Sequence, residues 1–112
     1  MRAPVFTVTT PVPIAPDVTL WDNTWNHHIQ VNHPEMVGKL SNMQATLSAP
    51  TAVCTATNPD YMMFINHQEL NQLGHPLVVC VSSVDSSGKP AVVTAYHGKK
   101  YKNLGNVQVI WP

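Results

Sequence analysis

Charge is scarce in this 112-residue chain: 11% of its residues are charged, six basic residues balance six acidic ones, and Arg2 is the only arginine. A neutral molecule offers nucleic acid no general attractive field, which excludes a DNA or RNA coat protein. Cysteine is nearly as scarce. Cys54 and Cys80 have no metal-ligand spacing and sit in apolar, strand-like runs, so they read as buried free thiols in a reducing compartment, with a disulfide as the alternative. No apolar run reaches the roughly 18 residues of a membrane helix. Prolines interrupt the N-terminal stretch where a secretory signal would be continuously apolar. The expected setting is therefore soluble and cytoplasmic, with no membrane partner. A glycine-rich phosphate cradle and a dinucleotide fingerprint are both missing, and His27, His67 and His75 have no partner at zinc-ligand spacing. No metal and no organic cofactor is expected.

What is present fits one domain, since 44% of the residues are hydrophobic and the chain is too short for two cores. Residues 1–20 carry Pro4, Pro11, Pro13 and Pro16 among Thr and Val, which disfavours helix and central strand alike and reads as a proline-rich extended arm. From Trp21 the texture changes. Asp22 or Thr24 can cap a helix over about 24–32, with Trp25, His28, Ile29 and Asn32 at three-and-four spacing. Pro34 suits the first position of a second helix, along which Met36, Leu40, Met43 and Leu47 form an apolar stripe that ends before Pro50. Strand-like runs follow at 51–57, 61–66, 77–84, 91–96 and 107–111, with a looser connection at 68–75 and a hairpin turn at 85–88. The expected fold is α+β: two N-terminal helices packed on a four- to five-stranded antiparallel meander sheet.

Two blocks carry the chemistry. Trp25-Asn26-His27-His28-Ile29 runs into His33-Pro34-Glu35-Met36, and Val92-Val93-Thr94-Ala95-Tyr96-His97 precedes Lys99 and Lys100. The Trp-x-x-His-Ile helix, the His-Pro-Glu junction, Pro50 before a meander, the Val-Val strand and the Thr-Ala-Tyr strand before a terminal Trp resemble the phage-type barnase, EndoU, colicin and RelE-like (BECR) nuclease domains. The resemblance covers residues 21–112. It implies the BECR/RelE-like arrangement of N-terminal helices on an antiparallel sheet, and a metal-independent endoribonuclease of toxin or phage type. It also implies RNA as substrate, transfer RNA or another structured RNA included, and an antitoxin, immunity or other protein as partner.

Cleaving RNA without metal takes a base for the 2′-OH proton, a donor for the leaving 5′-oxygen and polar or cationic groups around the phosphorane. Histidine, with a reference pKa of about 6.5, suits both proton roles. His33 matches the family's His-Pro-Glu position and His28 the histidine of the preceding helix. Thr94 and Tyr96, two apart on a strand, share a face and match the Thr-x-Tyr position. Lys99 joins them as the catalytic cation, while Lys100, Lys102 and Glu35 are candidate substrate-binding residues. Each has a plain structural alternative: His33 can cap a helix, Glu35 can complement its positive end, His28 can pack on its own helix, and Thr94 and Tyr96 are good strand formers. The absence of an arginine beyond Arg2 departs from many metal-free ribonucleases and leaves lysine as the cation. A second function therefore stands beside the enzyme: a non-catalytic RelE-like module that binds a protein partner or RNA.

Overall fold

Leu77 to Val81 is apolar at every position, and a strand of that kind needs cover on both faces. In the computed structural model, which describes residues 3–11, 17–56, 60–83, 89–98 and 109–111, that run is buried at every position inside a seven-stranded sheet. The strands are β1 (Pro4–Thr9), β2 (Asp17–Trp21), β3 (Ala52–Thr55), β4 (Tyr61–Leu70), β5 (Pro76–Ser82), β6 (Ala91–His97) and β7 (Val109–Trp111). Their order across the sheet is β1-β2-β6-β5-β4-β3-β7. Neighbours are antiparallel except β2 and β6, which run parallel with Thr19 opposite Ala91.

Between β2 and β3 the chain is helical. α1 (Asp22–Thr24), a π-helical segment (Trp25–Ile29) and α2 (Gln30–Asn32) follow without a break, then a 3-10 turn (Pro34–Met36) and α3 (Leu40–Ser48). Asp22 fixes the start: its N–H donates to the Ala3 carbonyl at 2.9 Å, and its carboxylate accepts from the N–H groups of Ala3 (3.1 Å) and Asn23 (2.7 Å). The last contact satisfies one of the donors a helix start leaves open. Trp25, Ile29, Met36, Met43 and Leu47 enter one core with Phe64, Val79 and Val92 of the sheet. A smaller cluster, Cys54, Met63, Ile65, Val78 and Cys80, fills the opposite face, flanked by Tyr61 and Tyr96. One buried polar chain ties helix to sheet: the Asn66 amide donates to Thr46 Oγ1 at 3.2 Å, and that hydroxyl donates to the Asn42 carbonyl at 2.8 Å. Among the described residues, no helix is long and apolar enough to cross a membrane.

The expected architecture of two N-terminal helices on a four- to five-stranded meander is corrected. Among the described residues the molecule is mostly sheet, with seven strands, an 11-residue helical stretch at 22–32 and the shorter α3. Residues 1–20, read as an extended arm, contribute β1 and β2, so strands precede the helices. Pro4 is tolerated because it opens an edge strand. The second helix does not run from Pro34. Val37 is extended and Gly38 takes φ +83°, a left-handed value that favours glycine and ends the turn before α3 begins. Its stripe nevertheless faces the core, with Met36, Met43 and Leu47 buried and Leu40 partly so. β4 also continues to Leu70, where a loose connection was expected. The 85–88 turn lies outside the described residues.

Phe64, fully buried at the centre of β4, is the largest such side chain. Phe64→Ala should cost about 3–5 kcal/mol, read as a fall in the urea midpoint. Val31→Ala, at a position 66% exposed, should stay within about 0.5 kcal/mol of wild type.

Candidate active site

A kink in β6 sets which side chains share a face. Val81 is opposite Val92 and Cys80 is opposite Thr94, so Val93 is an extra residue, a bulge. Val92 and Ala95 therefore face the helix-side core, while Thr94 and Tyr96, opposite Cys80 and Val78, face the other side. Burial raises the Tyr96 phenol above its usual range, and nearby Cys80 adds to the rise. A neutral phenol is a hydrogen-bond donor across the physiological range. Gly98 leaves room for its ring, because a Cβ there would lie 3.1 Å from two Tyr96 ring carbons. The Thr94 hydroxyl is closed off from solvent and has no hydrogen-bond partner among the described residues, so it is not presented to a substrate.

The helical chain runs beside β6 and delivers His33 to the far end of that strand. His33 has φ −136° and ψ 69°, outside the helical region that the following proline disfavours. Its imidazole lies against Tyr96, with ring centroids 5.6 Å apart and planes tilted by 33°. Glu35 Oε1 stands 3.7 Å from His33 Nδ1, an ion pair when the ring is protonated and one that water weakens. His33 is 31% exposed at its side chain, enough for a substrate to reach it. Thus His33, Glu35 and Tyr96 are brought together.

His28 is not part of that group. Its Nδ1 faces the Asn32 amide at 3.1 Å, and it lines a cleft at the opposite end of β6 with Trp21, Thr24, Ser82 and Ala91–Val93. Three residues of strand, about 10 Å, separate Val93 from Tyr96. A second depression of about 480 Å3 lies beside Trp21 with Asp17 and Lys89 on its walls, and it holds none of the candidate residues. Lys99, Lys100 and Lys102 lie outside the described residues. No protein-family model, curated protein or solved structure matches this chain. The site accordingly stands on its own geometry. Among the described residues no group of His, Cys, Asp and Glu side chains is placed to hold a metal ion. Gly98 and the Val93 bulge were not singled out in the sequence; a glycine directly after the Thr-Ala-Tyr strand was the available signal for the first.

Cys54 and Cys80 are both free and buried. Each pairs with Met63 on β4, one from either side, so two strand spacings of roughly 4.8 Å separate them. A disulfide requires Cα atoms within about 7 Å and is excluded by that register. Burial pushes the Cys80 thiol up to about 11, partly offset by a hydrogen bond from the Val81 backbone. Cys80 and Tyr96 both favour their neutral forms in the fold: the thiol's contribution to stability is complete below its ordinary value of 9.0 and is lost as pH rises through about 11, while the phenol's is complete below its ordinary value of 10.0 and is lost above it. The urea midpoint should be level up to about pH 8.5 and fall above it, with a shallower fall in Cys80→Ala. An alkaline limb of the same steepness in the variant would contradict the assignment.

Proposed function

We propose that this protein is a metal-independent endoribonuclease whose proton-transfer site is the His33–Tyr96 pair. The observation that carries this reading is the ring contact between two residues from distant parts of the sequence, at a solvent-accessible rim of the sheet. With Nδ1 turned towards Glu35, the imidazole has Nε2 available for a substrate proton, and the carboxylate would stabilise the imidazolium that forms. His33 Nε2 takes the proton of an RNA 2′-OH, the 2′-oxygen attacks phosphorus, and the bond to the 5′-oxygen breaks. The products are a 2′,3′-cyclic phosphate and a 5′-hydroxyl end, the leaving oxygen taking its proton from solvent. Tyr96, kept protonated by burial, donates to a non-bridging phosphate oxygen as negative charge grows there.

RNA as the substrate comes from the resemblance to the BECR nucleases, and Lys99, Lys100 and Lys102 would supply the cations that arginine does not. A structured RNA such as transfer RNA suits a neutral molecule, since few neutralised phosphates hold a flexible strand weakly. The same reading gives the protein a cytoplasmic setting, in keeping with two buried free thiols, and an antitoxin or immunity protein as partner.

In excess EDTA the protein should cut transfer RNA or another folded RNA and leave cyclic phosphate ends. His33→Ala should lower the rate by roughly 10²–10⁴, and Tyr96→Phe by roughly 10²–10³. Equal cleavage by wild type and both variants would remove the site assignment. Absence of cleavage, with binding retained, would leave the non-catalytic module that holds RNA or a protein.

A further inference from the structure

The cleft at the start of β6 is built where three regular patterns fail together. β2 has one ladder pair with β6, Thr19 and Ala91, and turns into helix at Asp22 beside the start of that strand. One wall is the π-helical segment Trp25–Ile29, in which the Gln30 N–H bonds five residues back to the Trp25 carbonyl. The other wall is the bulge at Val93. π-Helical turns and bulges are both over-represented at functional sites, and here they face each other across one space.

That space has the size and lining for a flat, polar-edged ring. Its volume of about 300 Å3 lies at the lower end of small-molecule sites, which run from roughly 300 to 1,000 Å3. Trp21, Val92 and Val93 line it together with Thr24, His28 and Ser82, so aromatic, aliphatic and polar residues meet there. Asn32 Nδ2 lies 3.1 Å from His28 Nδ1, and in the tautomer that accepts from this amide the ring proton is on Nε2, a donor suited to a carbonyl or ring nitrogen on the edge of a base. Stacking of a base on an aromatic side chain such as Trp21 is tolerant of sequence.

We propose that this cleft is a nucleobase subsite, which takes an unpaired base of an RNA strand lying along β6 towards His33 and Tyr96. The proposal rests on the nuclease reading for its substrate class and assigns His28 to base binding rather than proton transfer. The cleft lies three strand residues, about 10 Å, from Tyr96 along β6.

The test titrates the full chain with the four nucleoside monophosphates and follows the Val92 and Val93 methyl groups and the His28 ring by NMR. Saturable shifts centred on these residues, weakened roughly tenfold or more by His28→Ala and unaffected by His27→Ala on the exposed side of the helix, support the subsite. Trp21→Ala should weaken the shifts as well; should it fail to fold, Trp21→Phe replaces it and should retain most of the binding. Undiminished shifts in His28→Ala, or shifts centred elsewhere, overturn it. With cleavable RNA, the His28→Ala loss should fall on KM rather than kcat. Nucleotide shifts at the cleft with no RNA cut would keep the subsite and reject the nuclease; RNA cut with no nucleotide at the cleft would reject the subsite alone.

Discussion

A strand that loses its partner partway must have its edge covered, because exposed backbone donors and acceptors invite pairing with another chain. β6 is in that position. β5 accompanies it along its length, but β2 has its ladder pair with it at Ala91 and then turns into helix at Asp22. The reciprocal bonds between Asp22 and Ala3 fix the place of that turn. From there the helical chain takes over the flank of β6, and its course determines the rest. Trp25 and Ile29 enter the core, His28 stands over the start of β6, and His33 reaches its end beside Tyr96.

Much of the helical layer was legible in the residues. Trp25 and Ile29 at helical spacing face inward, and so do Met36, Met43 and Leu47, since the hydrophobic demand survives the break at Gly38. The break itself was hidden, because an apolar stripe reports a face and not a continuous backbone. The π-helical turn leaves no distinctive residue pattern either. β1 and β2 were obscured for a different reason: four prolines argue against strands in general, whereas Pro4 opens an edge strand, which tolerates it, and Pro11 lies past that strand's end. This is the physical source of the wrong fold class, and it turned a supposed arm into part of the sheet.

For the site, the alternation of Thr94 and Tyr96 was enough to place them on one face. It could not show the bulge at Val93, without which Val92 would have shared that face. Nor could it show that the Thr94 hydroxyl is sealed from solvent, a burial without a partner that costs about 1–3 kcal/mol. The separation of His28 from His33 depends on how a helix lies along a strand, which is a property of packing. What remains is an imidazole, a carboxylate and a protonated phenol at one rim, with an apolar cleft at the far end of the same strand.

The account depends on the placement of His33 against Tyr96, and that can be measured without any substrate. In aromatic NMR spectra, nuclear Overhauser contacts should connect the ring protons of His33 and Tyr96, whose centroids lie 5.6 Å apart. The His33 ring resonances should also carry a ring-current shift that disappears in Tyr96→Leu, while those of His27 stay unchanged. A His33 ring with no contact to Tyr96, and with resonances indifferent to that substitution, would contradict the account.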